Sequence, residues 1–138
     1  MRFKILEVFT DGGARGNPGP AAIGVFVMGD SKELEKKAMC IGEATNNVAE
    51  YSAFLESIKL IKDFECGKIV FKLDSELVVR QINGQYKVKN EKIRPLFAQV
   101  VENLSMINVP YEVVHIRREE NKVADSLVNQ ALDQGLNS

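Results

Sequence analysis

Apolar residues alternate along the early part of the chain and then begin to recur every three or four positions, which separates strands from helices. From Phe3 onward, Phe3, Ile5 and Phe9 share one face, with Lys4 and Thr10 on the other. Leu6 and Val8 blur the polar side, so this first strand is expected to be covered on both faces. Ala21–Met28 is a second strand. The turn-forming "MGDSKE" at 28–33 leads to a third strand within Leu34–Ile41, and so short a connection predicts a hairpin. A helical period follows over 48–61, with Val48, Tyr51, Phe54, Leu55, Ile58 and Ile61 on one face. "KIVFKL" at 68–73 is a strand, and Ser75–Ile82 is a short helix ending before Gly84. Lys92–Leu104 is another helix, with Pro95 near its first turn, where proline is tolerated. "YEVVHI" at 111–116 is the last strand. A closing helix over 122–133 turns Val123, Ala124, Leu127, Val128, Ala131 and Leu132 inward and stops at Gly135.

The order β-β-β-α-β-α-α-β-α predicts an α/β fold. An antiparallel start followed by β-α-β crossovers gives a mixed sheet with helices packed on it. The chain has 138 residues, with no internal repeat and no linker-like stretch, so one domain over 1–138 is expected.

Composition then narrows the chemistry. Apolar residues make up 45% and charged residues 27%, the balance of an ordinary soluble protein. The longest apolar run, at 21–28, is too short for a bilayer, and the N-terminus lacks the apolar core of a signal peptide. A cytoplasmic protein with no membrane partner is expected. Cys40 and Cys66 are isolated and read as buried small hydrophobes. His115 is the only histidine, so a zinc site lacks ligands and any Ser–His–Asp triad would rest on this one side chain. The net charge of −1 gives no global basic field, although "YKVKNEKIR" at 86–94 and the group Arg117, Arg118, Lys122 are locally basic.

The acids carry more information. Asp11 ends the first strand, Glu50 opens the first long helix, Asp74 ends the fourth strand, and Asp125 lies in the first turn of the last helix. Such element ends are where a sheet presents its functional edge. Each acid also has a local reading: a turn start for Asp11, a capping box with Asn47 for Glu50, an N-cap with Ser75 for Asp74, and a dipole partner for Asp125. The helical wheel weighs against two of these. Glu50 lies about 40° from Phe54 and Asp125 about 20° from Leu132, so both lean toward the sheet, which a cap at a free surface has no reason to do. Four carboxylates in one small site would repel one another unless hard cations occupied it, and oxygen-only ligands suit Mg2+ or Mn2+. The loop "TDGGARGNPGP" at 10–20 is not a phosphate cradle. It lacks GxxxxGKS/T and GxGxxG, and a strand rather than a helix follows it.

These residues resemble the type 1 ribonuclease H family, in a compact form lacking the basic handle that several members insert. "TDGGARGNPGPAAIGV" is similar to the family's first motif and "TNNVAEYSA" at 45–53 to its second. "LDSELVVRQING" at 73–84 is similar to the third, and "RREENKVADSLVNQA" at 117–131 to the fourth. The resemblance implies a five-stranded mixed sheet, with three antiparallel strands and then parallel additions, flanked by helices. It places the metal-binding tetrad on Asp11, Glu50, Asp74 and Asp125. The implied reaction is hydrolysis of the RNA strand of an RNA/DNA hybrid, leaving 3′-hydroxyl and 5′-phosphate ends. Two Mg2+ ions sit ~3.5–4 Å apart in such sites, one activating water and one stabilising the leaving oxygen, with Mn2+ as a substitute. By the resemblance Asp11 bridges both ions, Asp125 helps hold the nucleophile-side ion, and Glu50 and Asp74 hold the other. Asn17, Thr45, Asn46 and Asn47 match substrate-contacting positions, where amides and hydroxyls can read phosphate oxygens and the RNA 2′-hydroxyl.

Two departures shape further expectations. Many members carry a loop histidine just before the last acid. Here His115 belongs to the last strand and is expected to be a core or sheet residue, so the electrostatic part of that role is assigned to Arg118, with Arg117 as the alternative. The handle is missing and the chain has no Trp, so hybrid affinity is expected to be weaker and steeply salt-dependent, resting on Lys87, Lys89, Lys92 and Arg94. Selectivity for hybrid over duplex RNA is thereby left open, and a monomer is expected. A catalytically silent nucleic-acid-binding module on the same fold gains nothing from four acids facing a phosphate backbone. A transposase or resolvase core has different acid spacing and usually extra DNA-binding domains.

Overall fold

The computed structural model describes residues 1–135. Strands β1 (Arg2–Ala14), β2 (Gly19–Gly29) and β3 (Lys32–Ala44) form an antiparallel meander. They are followed by α1 (Asn46–Leu60), β4 (Glu65–Leu73), α2 (Glu76–Ile82), α3 (Ile93–Ser105), β5 (Tyr111–His115) and α4 (Lys122–Gln134). Two 3-10 turns that the sequence pattern does not announce lie at Ile61–Asp63 and Arg118–Glu120. The five-stranded sheet has the order β3-β2-β1-β4-β5, with β4 parallel to both β1 and β5. The expected mixed sheet and its element order are therefore present.

Strand β1 runs further than its hydrophobic pattern. Its parallel ladder with β4 closes at the Thr10–Leu73 rung, but its antiparallel ladder with β2 continues from Asp11–Gly24 to Ala14–Ala21. Asp11 therefore does not end the strand, as the sequence suggested. It is the first residue beyond the reach of β4, and the first part of the expected loop is paired backbone. Backbone pairing needs no apolar side chains, which is why β2 and β3 also overrun their expected limits.

Alternation sends Leu6, Val8 and Thr10 to one face of the sheet, where with Val25 and Val27 they are buried beneath α1. There Phe54 of α1 packs edge-on against Phe71 of β4, with ring centroids 4.9 Å apart. The other face carries α4, whose Val128 and Ala131 pack on Ala22. Helix α1 is capped by Thr45, whose Oγ1 accepts the Val48 N–H at 3.2 Å, so the capping box of Asn47 with Glu50 does not form. Ser75 caps α2 in the same way, and Gly135, at φ 64°, ends α4 as expected. Cys66 is buried, whereas Cys40 is half-buried with its Sγ donating to the Ala131 carbonyl. His115 ends β5 and is exposed, so it is a sheet residue and no part of the core.

Two glycines set how closely the helices lie. A Cβ on Gly12 would stand 2.2 Å from the Ala49 carbonyl carbon of α1, and one on Gly24 would stand 2.3 Å from the Ala124 carbonyl oxygen of α4. Neither obstacle is a flexible side chain. Gly12→Ala and Gly24→Ala are each expected to cost about 3 kcal/mol or more in urea unfolding, because backbone must shift. Gly42→Ala meets no atom within 4 Å. Its φ of 83° still makes it strained, and it should lose less than the other two.

Candidate metal centre

The same two contacts deliver the acids. Gly12 follows Asp11 on β1 and touches the α1 backbone at Ala49 and Glu50. Gly24 stands opposite Asp11 and touches α4 at Ala124, the residue before Asp125. Asp74 follows Leu73, the last rung of β4 against β1. The carboxylates of Asp11, Glu50 and Asp74 consequently offer oxygens that all lie within 4.8 Å of one another. Asp125 stands outside that trio, but its charge and a hydrogen bond act on Asp11.

The cluster is costly to ionise. Burial, then the charges of Asp74, Glu50 and Asp125, push the Asp11 carboxyl up to about 8. Burial also pushes Glu50 up to about 7, against a hydrogen bond from Ser75 and the nearby Arg118 guanidinium. Oxygen donors this close, held against their own repulsion and without a sulfur or imidazole among them, fit a hard divalent cation. Asp11 and Glu50, with Asp125, border an open cavity of about 290 Å³ also lined by Arg15, Asn46, Arg118 and Asn129. A larger cleft of about 470 Å³ lies at the opposite end of the sheet, beside Phe64, Cys66 and Ile107, and among the described residues holds no such cluster.

Asn121 is the residue the sequence reading passed over. It heads α4 without capping it, and only its place one turn before Asp125 marks it in the sequence. Its side chain turns inward, 1% exposed, and its Nδ2 donates at 2.9 Å both to the Thr10 carbonyl and to Asp74 Oδ2. It thus ties α4 to β1 and to one acid of the trio. Its Oδ1 is buried and has no hydrogen-bond partner among the described residues.

The remaining expected residues divide into those at the cavity and those away from it. Arg118 lines it beside Glu50, while Arg117 is turned away to Glu119 and Glu120, at 3.6 and 3.2 Å. Asn17 Oδ1 accepts the Asn46 N–H at 3.0 Å, and Asn46 Oδ1 accepts the Ala14 N–H at 2.9 Å, which fastens the loop to the head of α1. Thr45 is engaged as the helix cap, and Asn47 is exposed in the first turn. Lys87 and Lys89, like Lys92 and Arg94, are exposed around the connection from α2 to α3 and do not line the cavity.

Comparison with known proteins agrees with this geometry. A family model described as "Reverse transcriptase-like" matches residues 9–131. A protein named Ribonuclease HI from Halobacterium salinarum is 36% identical over 129 residues, covering 93% of this chain and 64% of that protein. The crystal structure of RNase H1 from Halobacterium salinarum superposes with a TM-score of 0.89 at 34% identity, covering 94% of this chain and 98% of the other. LC11-RNase H1, solved in complex with an RNA/DNA hybrid, gives a TM-score of 0.88 at 40% identity with the same coverage. A bifunctional protein of Mycobacterium tuberculosis is 37% identical over 136 residues, which are 96% of this chain but 37% of that protein. The chain thus spans less than two-thirds of the length of these two sequence relatives.

The raised carboxyls tie stability to pH. Asp11 titrates near 3.8 when unperturbed and near 8 in the fold, so the folded state holds the extra proton between those values. Stability of the metal-free protein therefore falls as pH rises through that window. In EDTA, Asp11→Asn is expected to raise stability at pH 8 by on the order of 2 kcal/mol, with the gain fading toward pH 4, as thermal melts will show. Added Mg2+ should raise the melting temperature of the wild type and much less that of Asp11→Asn. Asn121→Ala should lose about 1–3 kcal/mol, because Asp74 and the Thr10 carbonyl are left without their buried donor.

Proposed function

This chain belongs to the type 1 ribonuclease H family, and we propose that it is a metal-dependent endoribonuclease cutting the RNA strand of RNA/DNA hybrids to leave 3′-hydroxyl and 5′-phosphate ends. The observation that carries this reading is the trio of carboxylates within 4.8 Å of one another, with Asp125 beside Asp11, at an open cavity that Asp11, Glu50 and Asp125 line. Asp11, Glu50, Asp74 and Asp125 would hold two Mg2+ ions, for which Mn2+ could substitute. Bound there, such ions make water a nucleophile at neutral pH and neutralise charge on the oxygen that leaves.

The protein's own groups prepare the site. Asn121 orients the Asp74 carboxylate, and Ser75 and the Arg118 guanidinium favour the charged form of Glu50. Asp11, central among the acids, must give up its proton for the site to fill. Arg118 stands beside Glu50, where its guanidinium can meet a phosphate oxygen as negative charge builds there. Asn17 and Asn46 sit at the loop that borders the cavity and, with Thr45 and Asn47, face a sugar–phosphate backbone irrespective of base sequence. Lys87 and Lys89 add phosphate contacts further out, which makes affinity salt-dependent.

The reading is tested with labelled RNA/DNA hybrid, duplex RNA and duplex DNA, each in Mg2+, Mn2+ or EDTA. The RNA strand of the hybrid should be cut in either metal and not in EDTA, with ends that carry a removable 5′-phosphate. Asp11→Asn should fall to background; metal-independent cutting, or cutting by this variant, defeats the reading. Arg118→Ala is expected to lose at least about tenfold in turnover with Mg2+. Full turnover by that variant removes Arg118 from the mechanism without touching the carboxylates.

A further inference from the structure

Among the described residues two cations line the acidic cavity, Arg118 and Arg15, and the reading above gives Arg15 no task. Its main chain is fixed within the glycine–proline loop. The Arg15 N–H donates to the Pro20 carbonyl at 2.8 Å, and the Arg15 carbonyl oxygen occupies the space, 2.1 Å away, that a Cβ on Gly19 would need. The loop doubles back at this point and sends the side chain toward the last turns of α4. There Arg15 Nη2 meets Asp133 Oδ1 at 2.6 Å. The two side chains are 50% and 64% exposed, so solvent screens the pair, which contributes little and is readily exchanged for a better partner. A phosphate is such a partner, since the guanidinium fork matches its oxygens two at a time. The location makes the exchange useful, because a polyanion approaching a cluster of acids needs fixed positive charge at the rim.

We propose that Arg15 binds a backbone phosphate of the nucleic acid next to the carboxylates, and that Asp133 is its resident competitor, positioning the guanidinium until the phosphate replaces it. The proposal rests on the reading of this chain as a nuclease of RNA/DNA hybrids. Asp133 touches no substrate in this scheme and acts only through Arg15.

The test measures binding of a fluorescently labelled RNA/DNA hybrid by anisotropy in Mg2+, across a series of salt concentrations. The full chain carries Asp11→Asn so that the hybrid stays intact. Adding Arg15→Ala should weaken binding about fivefold to tenfold and reduce the slope of log affinity against log salt by about one. Arg15→Lys should restore the slope but only part of the affinity, because an ammonium lacks the fork. Asp133→Asn should tighten binding, and should do nothing once Arg15 is alanine. An Arg15→Ala affinity and slope equal to the parent overturn the phosphate contact. Tightening by Asp133→Asn that persists in the Arg15→Ala background overturns the competitor role. If the parent does not bind the hybrid and the unmodified chain does not cut it, the nuclease reading falls and the proposal with it. Intact cutting alongside an unmoved Arg15→Ala affinity removes the proposal alone.

Discussion

Two contacts between helix backbone and sheet backbone organise this molecule. At Gly12 the start of α1 rests on β1, and at Gly24 the start of α4 rests on β2. Gly24 is the rung partner of Asp11, and Gly12 is the next residue along the strand, so the contacts fall on opposite faces of the sheet at nearly one height. That height coincides with the end of the β1–β4 ladder, where Asp74 emerges. Acids distant in sequence are brought together because side chains are absent at two points. Apart from the hydrogen bond between Asp11 and Asp125, the mutual effect of the carboxylates is repulsive.

The site is therefore assembled against its own electrostatics, and the surrounding packing bears the cost. Phe54 of α1 against Phe71, and Val128 and Ala131 of α4 against Ala22, fix the helices from which Glu50 and Asp125 project. Polar restraint is sparse, with the Asn121 amide holding Asp74. Strain of this kind, kept in place by an ordinary hydrophobic core, is how stability and activity come to oppose each other within one fold.

The element order and the four acids were legible because each left a local signal. The change of period at residue 48 separated helix from strand, and the inward lean of Glu50 and Asp125 on their helices distinguished them from caps. Strand limits were not legible where pairing alone extends a strand, as in Gly12–Ala14 of β1 and Lys32–Glu33 of β3. Asn121 escaped notice for a different reason. Its partners, Thr10 and Asp74, belong to other strands, and an asparagine ahead of a helix is ordinarily its cap. The preference for Arg118 over Arg117 was made from the sequence, but its support is a tertiary fact, the place of Arg118 at the cavity beside Glu50 while Arg117 pairs locally with Glu119 and Glu120.

The fastening of the glycine–proline loop has one more effect. An asparagine amide can usually give or take a hydrogen bond, and so distinguishes little. Asn17 and Asn46 both have their oxygens occupied within the protein, by the N–H groups of Asn46 and Ala14. Both residues are exposed, and among the described residues neither NH2 has an intramolecular acceptor, so the NH2 is the larger part of what each can still offer. The loop has thereby been given a polarity, presenting donors to a surface rich in acceptors, as a sugar–phosphate backbone is, and a poor fit to groups that can only donate.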